Sequence, residues 1–311
     1  MNIAIFGASS QIATDLIINL SQNSSYVLTL FSRTSSRLKN MMAPFCSKAK
    51  IHYLSYCDFD NQIDFDVIVN FVGVGDPAKA KDMGAKIFSI TADYDDRITS
   101  YLEKNPSCKY IFLSSGSVYG KSFAQPVNES SAATFNINAL DYEDWYSLSK
   151  FCAEAKHRSM VDKHIVDVRI FNYFSSNQNT EAKFLMSDIS RCIVSKEVLI
   201  TSSDNIVRDF ITPEDLVNLF EAIINSEPCN CAVDAYAAKP IDKLSLLKEL
   251  KSQFGLEYEL VETSVGVNAT GFKYNYYSLN RKAEIFGYEP NYTSLEGIVN
   301  ELDKLLCVAK H

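Results

Sequence analysis

Tyr146 and Lys150 stand four residues apart in Tyr146-Ser147-Leu148-Ser149-Lys150, at the start of a helix-forming run. On a helix that spacing puts both side chains on one face, about 6 Å apart along the axis. A phenol ordinarily titrates at about 10, too high to trade protons readily at neutral pH. An ammonium held beside it favours the phenolate and lowers that value. A tyrosine poised this way can give or take the proton that accompanies hydride transfer at a carbonyl or alcohol. The same spacing also arises by chance on amphipathic helices, so its meaning depends on the elements that position it.

Asn2 to Phe6 reads as a short buried strand, followed by Gly7-Ala8-Ser9-Ser10-Gln11-Ile12-Ala13 and the amphipathic run Thr14 to Leu20. A strand, a tight turn and a helix are the setting a dinucleotide fingerprint requires. Gly7 permits the turn, and the amides of Ser9, Ser10, Gln11 and Ile12 can hold a pyrophosphate. Ser10 replaces the usual second glycine; its side chain crowds that approach, and its hydroxyl can instead donate to a phosphate. Tyr26 to Phe31 is the second strand, ending in Ser32-Arg33-Thr34-Ser35-Ser36-Arg37. A free ribose 2′-hydroxyl is usually gripped by an acid at this point, and a 2′-phosphate by a cation. Arg33 stands in the acid's place with Ser32 and Arg37 nearby, which favours NADP and leaves NAD as the alternative; two solvated arginines on a loop are the plain reading.

Ile51 to Cys57 reads as a third strand leading to Asp58, placed to meet an adenine. Val67 to Val72 is a fourth, bringing Phe71, Val72 and Gly73 beside the expected crevice. A fifth, Lys109 to Leu113, ends in Ser114-Ser115-Gly116-Ser117-Val118-Tyr119-Gly120. This alternation of strand and helix implies an α/β fold with a Rossmann-type, doubly wound parallel sheet. Ligands of such sheets collect at the carboxyl ends of the strands. A serine hydroxyl there and the Tyr146 helix would therefore meet in one cleft.

Composition narrows the class. The 311 residues are 47% hydrophobic with a net charge of −8, a balance that disfavours nucleic acid as a partner. The N-terminus lacks a basic, signal-like region, and no apolar run nears the ~20 residues of a membrane span. These features point to a cytoplasmic chain without a membrane partner. The 8 cysteines are scattered, and only Cys229 and Cys231 lie close together, so no metal is expected.

The second half alternates less regularly. A helix-like run covers Ala182 to Ile193, an extended segment Val198 to Ile211, and Thr212-Pro213-Glu214-Asp215 opens a helix reaching about Asn225. Asp242 to Phe254 and Ser294 to Leu306 read as two more helices. Residues 1–171 thus form a dinucleotide-binding domain, to which parts of 196–226 return, and 172–311 form most of a smaller, discontinuous substrate lobe. Tyr274, Tyr276 and Tyr277 can serve a base or phosphate, or simply pack in a strand. His52, His157 and His164 show no partner spacing.

Taken in order, these pieces resemble the extended short-chain dehydrogenase/reductase family, which includes NAD(P)-dependent sugar-nucleotide epimerases, dehydratases and reductases. The resemblance rests on the turn at Gly7, the Ser114 to Gly120 segment, Tyr146 with Lys150, Arg169-Ile170-Phe171-Asn172, and Val207-Arg208-Asp209-Phe210-Ile211. It also takes in Gly287-Tyr288-Glu289-Pro290 ahead of Ser294-Leu295-Glu296-Gly297. It implies a catalytic set of Ser115, Tyr146 and Lys150. Ser115 would hold the reacting oxygen and Tyr146 act as general acid and base, while Lys150 binds the nicotinamide ribose and tunes Tyr146. It further implies that Asn172 and Arg208 hold the nucleotide–diphosphate of the substrate, a role a guanidinium suits; a local ion pair of Arg208 with Asp209 is the alternative. A homodimer is the family's usual assembly.

Departures from the family pattern narrow the reaction. Dehydratases of the family carry an acidic pair where this chain has Gly116 and Ser117. Its epimerase–reductases use a cysteine, matched here by Ser117, together with a histidine that the region between His164 and His311 does not supply. Ser117 is left as a substrate-binding candidate. Oxidation and reduction at a single carbon remain, and Arg33 tips the reading toward NADP-dependent reduction of a keto group on a nucleotide-linked sugar. The alternatives are an NAD-dependent sugar-nucleotide 4-epimerase, a non-catalytic NADP-binding or sensing protein, and a reductase of non-sugar carbonyls.

Overall fold

The computed structural model describes residues 1–60, 62–73, 82–182, 184–262 and 273–309. Its centre is a parallel sheet of seven strands: β1 (Asn2–Phe6), β2 (Val27–Ser32), β3 (Lys50–Ser55), β4 (Val67–Asn70), β5 (Lys109–Ser115), β6 (His164–Ile170) and β7 (Asn230–Asp234). Their spatial order is β7-β6-β5-β4-β1-β2-β3, so the order reverses between β1 and β4. This is the doubly wound arrangement the alternation implied, and it opens its crevice at the reversal.

Both faces of the sheet are covered, which explains why its strands read as near-continuous apolar runs. Ile3, Ile5, Val67, Val69, Ile111 and Val168 face one layer. That layer contains α1 (Gln11–Leu20) and α2 (Ser35–Met42). Ala4, Phe6, Ile68, Tyr110 and Phe112 face the other. There lie α3 (Lys86–Lys104) and α4 (Tyr142–Ser159). The helix α5 (Leu185–Ser195) belongs to the smaller lobe, whereas α6 (Pro213–Ile224) returns to the first layer through Leu216, Phe220 and Ile223. The Lys109 ammonium caps the end of α6 by donating to the carbonyls of Ile223, Ile224 and Ser226, the favoured place for a cation on a helix. With α7 (Lys243–Phe254) and α8 (Ser294–Ala309), α5 encloses a separate core of Met186, Ile189, Leu246, Leu250, Ile298 and Leu302.

Several elements end elsewhere than the sequence suggested, among them the expected helix Ala182 to Ile193, which is Leu185–Ser195, and the fifth strand, which runs on to Ser115. The fourth strand stops at Asn70 rather than Val72, because the Asn70 side-chain oxygen takes the Val72 amide and turns the chain. The third stops at Ser55, where Asp58 accepts the Ser55 amide and caps a 3-10 turn over Tyr56–Asp58. The return to the main sheet also reaches beyond residue 226, since Asn230–Asp234 forms its edge strand. Among the described residues, no helix is long and apolar enough to cross a membrane.

Candidate active site

The polar ends of β1, β2, β4 and β5 converge on the crevice. Gly7 follows β1 with φ +72°, and a Cβ there would lie 2.8 Å from the Phe71 carbonyl carbon. Only glycine combines that conformation with so close a backbone approach. Its amide donates to the Tyr56 hydroxyl at 3.1 Å, a crevice contact that the sequence pattern does not mark. Ser10 caps α1 by accepting from the Ala13 amide at 3.4 Å. Ser9 is exposed, and Gln11 and Ile12 are half-buried at the opening of the helix. The Ser10 amide is taken by the Gly7 carbonyl at 2.9 Å, contrary to expectation, which leaves the amides of Ser9, Gln11 and Ile12 for a pyrophosphate.

At the end of β2, Ser32 is buried and its hydroxyl has no protein partner. Arg33 and Arg37 are exposed on the rim beyond it. Asp58 spends one carboxylate oxygen on the Ser55 amide, at 2.8 Å, and is otherwise exposed. Phe71 is buried and Val72 half-buried, and Gly73 lies so near Lys150 that a Cβ there would sit 3.1 Å from the ammonium. An orphaned hydroxyl, a glycine cradle and a free helix start together fit a dinucleotide.

Ser115 ends β5 and caps the 3-10 turn Gly116–Tyr119, its hydroxyl accepting from the Ser117 amide at 3.2 Å. Tyr146 lies on α4 across from it, half-buried. Burial pushes the Tyr146 phenol above its ordinary value, and the neighbouring Ser115 hydroxyl offsets part of that rise. The acidification expected of Tyr146 draws on Lys150 together with the positive ring of a bound nicotinamide. The Lys150 ammonium donates to the Leu113 carbonyl at 2.7 Å and lies 4.3 Å from the centre of the Phe112 ring. Burial lowers it to about 8, against the opposing charges of Asp95, Glu154 and Asp167. Lys150 is thus a buried cation at the crevice wall, held on the Leu113 carbonyl beside Gly73.

Tyr276 is the member of the tyrosine cluster that enters the site. It is buried, and Ser115 is its polar neighbour as well as that of Tyr146. Its ring packs on Phe123 and Phe171, at 4.7 and 5.2 Å between centroids. Arg208 is 5% exposed, with its Nη1 donating to the carbonyls of Val207, Lys273 and Tyr274 at 2.9, 2.6 and 3.4 Å. Burial lowers this guanidinium to about 10. The alternative ion pair with Asp209 does not form. Asp209 accepts instead from the Ala237 amide and the Ser294 hydroxyl, as neighbours on an extended chain point to opposite sides. Asn172 donates to the Asp209 and Tyr276 carbonyls. The Ser117 hydroxyl is buried without a protein partner.

At Gly116 a Cβ would lie 2.4 Å from the Phe171 ring. The position has no room for the acid that an elimination would place there. The arrangement can therefore move a proton at one oxygen, beside a buried cation and a dinucleotide crevice. No group of three or more His, Cys, Asp or Glu able to hold a metal is found among the described residues.

A family model described as the NAD dependent epimerase/dehydratase family matches residues 3–231. Several solved structures share the fold. A UDP-glucose 4-epimerase from Thermotoga maritima, solved with UDP-glucose, aligns over 100% of both chains with a TM-score of 0.81 and 16% identity. A UDP-glucuronic acid 4-epimerase from Bacillus cereus, in complex with UDP-glucuronic acid and NAD, aligns over 99% of this chain and 100% of its own, with a TM-score of 0.77 and 16% identity. A dTDP-glucose 4,6-dehydratase from Bacillus anthracis, in complex with NAD, covers 97% of this chain and 96% of its own, at 0.75 and 15%. No curated protein matches the chain.

Proposed function

The chain belongs to the NAD dependent epimerase/dehydratase family, and from that premise we infer that it is an NAD-dependent sugar-nucleotide 4-epimerase. The observation that carries this reading is Ser115 at the end of β5 beside Tyr146 of α4, with Gly116 closed to an acid by Phe171. That pairing supports proton movement at one carbinol oxygen and disfavours elimination. The 4-epimerases among the similar structures add support.

Gly7, Ser10, the opening amides of α1, Ser32, Gly73 and Lys150 would hold the dinucleotide. When bound, it supplies reversible hydride transfer at a sugar carbon. As the phenolate, Tyr146 would take the proton of the sugar hydroxyl as the carbon is oxidised and give it back on reduction. Ser115 holds that oxygen in line, and the Lys150 cation favours negative charge building on the phenol. Arg208 and Asn172, on the smaller lobe's side, grip the nucleotide diphosphate. Ser117 has a free hydroxyl for the sugar. Pairing of two copies through α4, which leaves Phe151 exposed, belongs to the same proposal.

A second reading, reduction of a keto sugar nucleotide with NADP, draws on Arg33 in the place of the usual acid. The exposed position of Arg33 and Arg37 on the rim weakens it. Cofactor analysis of the purified protein decides. An epimerase retains NAD and interconverts a UDP-sugar with no net change in dinucleotide, whereas a reductase consumes NADPH mole for mole. Protein that holds neither dinucleotide nor binds one on addition would overturn both.

A further inference from the structure

A buried cluster of ions lies behind the crevice, on the side of Phe112 that faces α4. The His157 ring is fully buried, and its Nδ1 and Nε2 lie 2.7 Å from Asp167 and 2.7 Å from Asp95 respectively. Lys156 and Arg158 keep Asp95 and Asp167 ionised, so each carboxylate can only accept, and the ring donates from both nitrogens as the imidazolium. Every charged neighbour is accounted for. Asp95 also accepts from Lys156 at 2.7 Å, Lys156 reaches the exposed Asp96 at 2.6 Å, and Asp167 accepts from Arg158 at 2.9 Å. Lys150 and Glu154 lie on the same face of α4, and Lys150 feels the charges of Asp95, Glu154 and Asp167.

From Asp95 the bonds run on toward the crevice. The Tyr110 hydroxyl donates to Asp95 at 2.8 Å, Asn70 donates to Tyr110 at 2.9 Å, and the Val72 amide donates to Asn70 at 2.9 Å. Asn70 and Tyr110 are fully buried. Each donor in this line has one acceptor, so its direction is set by the charged end. Val72 lies between Phe71, whose backbone abuts Gly7, and Gly73, which abuts Lys150. We propose that His157 is a positioning residue for the dinucleotide crevice, fixing Asp95 so that the Tyr110–Asn70 line holds the Val72 amide and the wall beside Gly7 and Lys150. The part of this that concerns the dinucleotide rests on the epimerase reading; the part that concerns Val72 does not.

The test compares wild type, His157→Gln, Tyr110→Phe and the double variant, reading amide hydrogen exchange at Val72 and calorimetric affinity for NAD. Tyr110→Phe removes one hydroxyl and leaves the ring and every charge in place, so it decides the matter if His157→Gln fails to fold. Each single change is expected to speed Val72 exchange about fivefold, the effect of losing one ordinary hydrogen bond, and to weaken NAD by a similar factor. The double variant should do no worse than the worse single, as residues in one line of bonds are not additive. The Leu250 amide, in the separate core of the smaller lobe, should keep its rate. Unchanged Val72 exchange in Tyr110→Phe, additive effects, or equal acceleration at Leu250 would overturn the proposal. If wild type does not bind NAD, the epimerase reading falls while Val72 exchange still decides the role of His157.

Discussion

Replacing Arg208 with methionine separates the cost of a buried cation from its use. Burial lowers the guanidinium from 12.5 to about 10, a penalty of roughly 3 kcal/mol at neutral pH. Against it stand the Nη1 bonds to Val207, Lys273 and Tyr274, of which the two at 2.9 and 2.6 Å are well formed. At about 1.5 kcal/mol each, those two offset the penalty. Methionine fills the space of the aliphatic stem, so Arg208→Met should leave stability within about 1 kcal/mol, or a few degrees in melting temperature. The ligand side is different. Among the described residues no carboxylate neutralises Arg208, so the diphosphate of a sugar nucleotide would gain two charge-assisted bonds, about 3 kcal/mol in all. Losing them should weaken UDP binding about a hundredfold. Thermal melts across a UDP titration read both quantities on one sample, because specific ligands raise the melting point by mass action. UDP affinity within threefold of wild type would refute the assignment. A melting point lowered by more than about 10 °C would show instead that Arg208 is structural.

Tyr146→Phe should cut epimerase turnover by roughly a hundredfold to ten-thousandfold, the range of one general acid/base group, with NAD content of the purified protein unchanged. Gly7→Ala places a Cβ 2.8 Å from the Phe71 backbone at φ +72°; it should cost about 1–3 kcal/mol in denaturant unfolding and abolish NAD retention. Stability should also depend on His157. Burial works against its charge, but Asp167 and Asp95 raise it to about 9 from 6.5. Its contribution is therefore complete below pH 6.5 and is lost as the pH rises to about 9. Between pH 6.5 and 8 Lys150, itself lowered to about 8, loses up to half its charge, but it is common to wild type and variant and cancels in their comparison. The unfolding midpoint of wild type should fall across that window relative to that of His157→Gln; parallel slopes would contradict the imidazolium assignment.

The crevice was legible because its signals are local. Gly7 after an apolar strand, Ser115 after another and Tyr146 four residues before Lys150 each announce themselves within a few positions, and Thr212 with Pro213 marks the start of α6. The machinery behind them was hidden because it is made of pairs far apart in the chain. Among the described residues the buried positions of α4 are Asp144, Ser147, Ser149, Lys150, Glu154 and His157, with Ala153 the one apolar residue. By hydropathy such a face reads as solvated. It is buried because the sheet offers partners: Ser114 and Arg169 bond Glu154, and Asp167 bonds His157. A sequence shows the charges, but not that they lie opposite one another. Tyr276 was hidden for a related reason, since three tyrosines in four positions look alike until the fold buries that one beside Ser115.

The proposed reading disfavours elimination on packing as well as on residue type. An acid at position 116 would need Phe171 to withdraw, yet that ring is held from several sides. Tyr119 stacks on it at 6.3 Å, Phe123 meets it edge-on at 6.4 Å, and Tyr276 leans on it at 5.2 Å. Moving one ring disturbs the others, including the phenol beside Ser115, and such overpacking costs about 1–3 kcal/mol even where the neighbours yield. The glycine and the aromatic cluster therefore specify each other. The cluster narrows the space over Ser115, and the glycine is what lets it come so close. On the proposed reading, this packing leaves position 116 without a carboxylate, and the polar groups beside it suit moving one proton at one oxygen.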